Sequence, residues 1–167
     1  KFGFETNKSE PHIVIQLTPL GLSNAMIHPL FHYPLKGMLL YQGESNTSNP
    51  KQYEKLFPLM IKSWRDNWQL GDFPFYYVQI APYNYGAQTY SELLREAQFK
   101  SSSVKNSGMV VTLDIGNPND IHPSNKKDVG ERLAIWALAK TYNKKVSYSG
   151  PVYKSMKIQK NKIQLTF

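Results

Sequence analysis

The chain of 167 residues contains no cysteine. Disulfides, thiolate nucleophiles and cysteine-ligated zinc are therefore excluded, whereas the compartment stays open, because cysteine-free proteins occur on both sides of a membrane. No run of eighteen or more apolar residues occurs, and the opening residues lack the basic, apolar, small-residue order of a signal peptide. Neither a membrane span nor a membrane address is expected. Internal repeats, low-complexity tracts and a His-x-x-x-His helix carrying the Glu general base of zinc hydrolases are also missing; His28 and His32 have the spacing but flank prolines. The chain opens on Lys1 and stops within "KIQLTF", an alternating pattern that suits a strand in mid-course. A piece of something longer is the expectation from both ends.

What is present suffices for one ordinary domain: 41% hydrophobic residues and 13% aromatics supply a core. The net charge of +8 raises the question of nucleic acid. The lysines from Lys140 to Lys162, however, are scattered among turn-forming Asn, Ser and Gly and follow no base-reading motif. A solvated basic face is expected there, without a nucleic-acid partner.

Three short apolar runs, "KGMLLY" (36–41), "PFYYVQIA" (74–81) and "GMVVTLD" (108–114), read as buried strands. Helical spacing lies between and after them. After "SNP", Tyr53, Leu56, Phe57, Met60, Ile61 and Trp64 recur every three or four residues, leaving the charged residues of that helix to face water. A second helix is expected over 90–103, with Leu93, Leu94, Ala97 and Val104 near one side and Thr89 or Ser91 as its cap. A third spans 125–142, with Val129, Leu133, Ile135, Trp136, Leu138 and Ala139 on a broad buried face. Strands alternating with helices predict a parallel α/β sheet covered on both faces. Past "YSGP", "VYKSMKIQKNKIQLTF" reads as an antiparallel hairpin that begins a β-rich appendage. Before the first run, residues 12–18 suit a strand, and the proline-interrupted residues 19–34 suit loop and short helix.

In an open α/β sheet, ligands bind beyond the carboxyl ends of the strands. The segments there are "QGESN" (42–46), "APYNYG" (81–86) and "DIGNPNDIHP" (114–123). In the last, Asp120 and His122 have the makings of a base and its orienting carboxylate; the plainer alternative is a turn capped by Asp beside a solvated His. In the first, Gln42, Gly43 or Asn46 can aim N–H groups at a developing oxyanion, or the segment is merely a turn before a helix. Ser45 lacks the Gly-x-Ser-x-Gly elbow of a nucleophile. A metal site drawn from His28, His32, Asp120 and His122 is the weakest candidate. His28 reads better as a packing or supporting residue and His12 as a strand residue. Trp64, Trp68 and Tyr76, Tyr77, Tyr83 and Tyr85 could stack on sugar in a non-catalytic binding module, although their spacing suits a core.

Five ordered segments, "KGMLLYQGESN", "YEKLFPLMIKSWRDNW", "FPFYYVQIAPY", "LLREAQ" and "DIHPSNKKDVGERLA", resemble the sialate O-acetylesterase branch of the SGNH hydrolases. "LSNAMIHPL" before them and "GPVYKSMKIQKNKIQLTF" after them extend the resemblance. It implies a flavodoxin-like three-layer α/β/α fold over 1–150, with 151–167 starting a C-terminal β region. It further implies hydrolysis of O-acetylated sugars without metal or organic cofactor, in the periplasm or outside the cell. His122 would be the general base; Gln42, Gly43 and Glu44 would contact oxyanion or substrate. Arg95, Glu96 and Gln98 of "REAQ" would lie near the pocket, or else form a charged helix face with an internal ion pair. Two departures stand out. Position 119, where many such enzymes place an aspartate, is Asn, leaving Asp120 or Asp114 to orient His122. The nucleophile segment typical of the family, "GQSN", is not found. The expected partners are accordingly an acetylated sugar and either an N-terminal segment that supplies the serine or a second copy of the chain.

Overall fold

The computed structural model describes residues 20–167. The strand expected over 12–18 lies outside them. Residues 20–35 form the short helical turns Ser23–Ile27 and His28–Leu30, as the proline spacing suggests. Ile27, Phe31 and Leu35 then pack onto the main core.

Three parallel strands follow, β1 (Met38–Tyr41), β2 (Phe75–Val78) and β3 (Ser107–Val110), ordered β1-β2-β3. Met38 pairs with Phe75, and Phe75 with Ser107. Helix α1 (Pro50–Trp68) links the first two strands, α2 (Ser91–Lys100) the next two, and α3 (Lys126–Lys140) comes after the third. Right-handed crossovers between strands placed in chain order put both linking helices on one face. The alternation of β2 displays this directly. Phe75 and Tyr77 enter the core beneath α1 and α2, with Tyr53, Phe57, Ile61 and Leu94. Tyr76 and Val78 point to the opposite face and meet Val129 and Leu133 of α3. All four side chains of β2 are buried, as expected for a strand covered on both sides. The layering is α/β/α.

Each strand is shorter than its apolar run. For β2 the reason lies in what the main chain bonds to beyond it: Gln98 Oε1 accepts the Ile80 N–H at 2.9 Å, while Arg95 donates to Ile80 O at 3.1 Å and Ala81 O at 3.2 Å. Side chains of α2 thus replace a neighbouring strand at the carboxyl end of β2 and release the chain into a loop. Gly108 is fixed by packing; a Cβ there would lie 2.4 Å from the Trp136 ring, so α3 approaches β3 more closely than any side chain allows.

The helices keep the expected positions with narrower buried faces. On α1, Leu56 is 52% exposed and Arg65 only 7%, so a charged residue takes a place on the buried stripe. On α2, Leu93 is exposed and the polar Gln98 is buried beside Leu94 and Ala97. Tyr90 holds the N-cap position of α2 with no side-chain bond, so neither Thr89 nor Ser91 caps it. Asn125 caps α3, its Oδ1 accepting the Asp128 N–H at 3.3 Å, and Leu138 is exposed. The C-terminal hairpin forms as expected from β4 (Ser155–Gln159) and β5 (Lys162–Thr166), antiparallel. Its pairing puts Met156, Ile158, Ile163 and Leu165 on one face, and all four are exposed.

Candidate active site

Because the strands are parallel, the segments after β1, β2 and β3 all leave the sheet at the same edge. Several bonds tie them into one rim. Thr112 Oγ1 donates to Gln79 O at 2.8 Å, joining the ends of β3 and β2. The Asn84 N–H donates to Pro118 O at 3.0 Å, and Gly116 lies so tightly on Pro82 that a Cβ would come within 2.3 Å of Pro82 Cδ. The Tyr90 N–H donates to Thr47 O at 2.8 Å, closing the second loop onto the first. Lys126, four residues beyond His122, places its Nζ 4.9 Å from the centre of the Tyr41 ring, the residue before Gln42.

The turn after β1 is compact. Glu44–Asn46 forms a single 3-10 turn, with Gly43 ahead of it at φ 147°. Gln42 Nε2 donates to Asn46 Oδ1 at 2.7 Å, so these two candidate side chains bond each other across the turn. A Cβ on Gly43 would sit 3.0 Å from both Gln98 Nε2 and Ile80 Cγ2, so glycine is required for space as well as for φ. Glu44 is half-buried among tyrosines. Burial first, and the charge of Glu44 among the further causes, push the phenols of Tyr53 and Tyr85 up to about 12 and raise that of Tyr41. All three are neutral hydroxyls at physiological pH. Ser45 is exposed on the same turn.

His122 is exposed in the third loop, and its imidazole has no hydrogen-bond partner among the described residues. Here the expected base-and-orienter pair takes a different form. Asp120 Oδ1 accepts the main-chain N–H of His122 at 2.8 Å, so this carboxylate shapes the turn and does not touch the ring. Asp114 is engaged elsewhere: Arg132 donates to its two oxygens at 2.7 and 2.6 Å and to Val111 O at 2.7 Å. The Arg132 guanidinium, followed by a main-chain bond, lowers the Asp114 carboxyl to about 2. A carboxyl depressed by folding contributes stability above its unfolded range, and that contribution disappears as pH falls from about 4 to about 2. The gap in urea midpoint between the wild type and Asp114→Asn should therefore be open at neutral pH and close across this interval.

The "REAQ" residues divide. Arg95 spends its guanidinium on Ile80 O, Ala81 O and Ser91 Oγ (3.3 Å), so it builds the wall of the second loop. Glu96 pairs with Lys100 at 3.0 Å, and Lys100 also reaches Glu54 of α1 at 3.2 Å. None of these contacts reaches the rim; Glu96 behaves as the ion-paired surface of a helix. Gln98 is the one of the three tied to the first turn: it is completely buried and donates to Gln42 O at 3.2 Å. His28 is exposed and lies edge-on to Phe31 at 5.5 Å. Among the described residues no group of three His, Asp or Glu gathers to hold a metal ion. Of the aromatics proposed for sugar stacking, Trp68, Tyr76 and Tyr77 are buried, Trp64 packs on the core, and Tyr83 and Tyr85 stand half-buried at the rim.

The carbohydrate esterase family described as sialic acid-specific acetylesterases matches residues 22–139. The chain belongs to this acetylesterase family. The mouse sialate O-acetylesterase is 34% identical over 158 residues, covering 82% of the chain and 29% of the mouse protein. The human sialate O-acetylesterase is 29% identical over 170 residues, with 87% and 32% covered. A crystal structure of a carbohydrate acetylesterase from Xanthomonas citri superposes with a TM-score of 0.80 at 40% identity, covering 86% of this chain and 35% of that one. The acetylesterase-family chain thus spans about a third of the length of these relatives, and the matched region contains the whole three-loop rim.

Proposed function

We propose that the chain forms the base-bearing part of a serine esterase that removes O-acetyl groups from sugars, the attacking serine coming from a segment outside it. The observation that carries this reading is the common rim: the His122 loop and the Gln42–Gly43 turn leave the same edge of a parallel sheet, joined through Lys126 and Tyr41. In the reaction, the His122 imidazole takes the serine proton as the oxygen attacks the acetyl carbon. The carbonyl oxygen gains charge and is met by N–H groups of the turn, with Gly43 foremost. His122 then returns the proton to the departing sugar hydroxyl. Water, deprotonated by the same imidazole, attacks the acyl-serine and releases acetate. A periplasmic or secreted location accords with such a substrate.

The reading is tested by mixing the chain with its natural upstream segment and supplying p-nitrophenyl acetate and an O-acetylated sialic acid. Acetate release from both, absent from either segment alone, is expected. A mixture no faster than buffer would favour a sugar-binding module without catalysis, for which Tyr83 and Tyr85, stacked edge-on at 5.0 Å, are the remaining aromatic platform.

A further inference from the structure

We infer that Gln98 is a positioning residue that fixes the direction of the Gly43 N–H, an inference that rests on the esterase reading for its catalytic meaning but on geometry for its substance. Gln98 lies on α2, and its side chain is fully buried. Its carboxamide makes three bonds: Oε1 accepts the Ile80 N–H at 2.9 Å, and Nε2 donates to Gln42 O at 3.2 Å and to Val78 O at 3.4 Å. Three main-chain groups at the ends of two strands are thus held by one uncharged side chain. Tyr53 adds a second, longer donor to the same Gln42 oxygen at 3.4 Å.

The consequence follows from peptide geometry. In a trans peptide the C=O and the following N–H point in opposite directions. Gln42 O is drawn towards α1 and α2 by Tyr53 and Gln98, so the Gly43 N–H is turned away from them. No acceptor among the described residues takes that N–H. The absent Cβ of Gly43 completes the device, since at φ 147° a Cβ would press on the Gln98 amide at 3.0 Å. An oxyanion donor is useful only when its direction is set before charge develops, and here the setting group stands behind the turn, out of contact with substrate.

No other side chain satisfies all three main-chain groups. Methionine fills the volume, leaves the Ile80 N–H unpaired and leaves Gln42 O only the longer Tyr53 bond, and asparagine is one methylene too short to span both strand ends. The decisive measurement is the residual dipolar coupling of the Gly43 N–H in the labelled chain, with the amides of Leu40 and Tyr77 as internal references. In Gln98→Met and in the milder Gln98→Asn, the Gly43 coupling should move while the reference couplings hold. In the mixture with the upstream segment, kcat for p-nitrophenyl acetate should fall roughly ten- to a hundredfold with KM within about twofold. An unmoved Gly43 coupling in whichever variant folds overturns the inference, as does a change shared equally by Leu40 and Tyr77. A wild-type mixture without turnover instead removes the esterase reading, and the catalytic role with it.

Discussion

His122→Ala should reduce acetyl ester turnover by roughly 10⁴-fold or more in the presence of the upstream segment, leaving the fold intact. The two halves of that expectation have separate grounds. The imidazole is exposed and makes no hydrogen bond among the described residues, so its removal sacrifices no packing and should change stability by no more than about 0.5 kcal/mol. Activity depends on it throughout, because the same ring would deprotonate the serine, protonate the leaving sugar and activate the water. A useful comparison is Asp120→Asn. The amide oxygen of asparagine can accept the His122 main-chain N–H as the carboxylate does, so the turn should survive and most of the activity with it. A loss in Asp120→Asn approaching that of His122→Ala would mean that the carboxylate acts on the ring in the assembled site. Retention of more than about a tenth of the activity by His122→Ala would end its assignment as the base.

The layout of sheet and helices was legible because it rests on patterns that act over a few residues. The four apolar residues of β2 and the recurrence of Tyr53, Phe57 and Ile61 along α1 are each sufficient to define an element, and their alternation dictates the parallel order. The rim was legible too, since polar residues massed after three strands have few other uses. What could not be read was how the polar side chains pair. Asp120 and Asp114 both stand near His122 in sequence, yet one bonds the main chain and the other Arg132. Arg132 lies 18 residues from Asp114, a separation that carries no periodic signal. Gln98 similarly appears as one polar letter in an ordinary helical segment, and its burial depends on three main-chain groups that converge only after the sheet has formed. The sharpest departure is at a residue of α1 whose charge assigns it to solvent and whose side chain is buried.

That residue is Arg65, and Arg65→Met should destabilise the chain by about 1–3 kcal/mol, several times the loss expected at an exposed position of the same helix. Its guanidinium lies under the amino end of the sheet, away from the rim. Nε and Nη2 donate to Phe73 O at 3.2 and 2.8 Å, and Nη2 also donates to Asn106 O at 3.2 Å. Phe73 precedes β2 and Asn106 precedes β3, so one side chain of α1 fastens the starts of two strands. Burial pulls the guanidinium below its usual range, and Asp72, at 3.9 Å, opposes that shift. Asp72 is in turn held by Lys105 at 2.8 Å. Methionine would fill the volume and strand Phe73 O, while Asn106 O keeps the Phe75 N–H at 3.0 Å; lysine keeps the charge but cannot form the planar fork that reaches both carbonyls. Arg65→Lys should therefore recover only part of the stability, whereas a like-sized change at the exposed Lys62 on the same helix should cost little, because the Lys62–Asp66 pair lies in solvent. Urea unfolding measures all three, and a midpoint for Arg65→Met within error of the wild type would show that the two strand starts are held by the ladder alone.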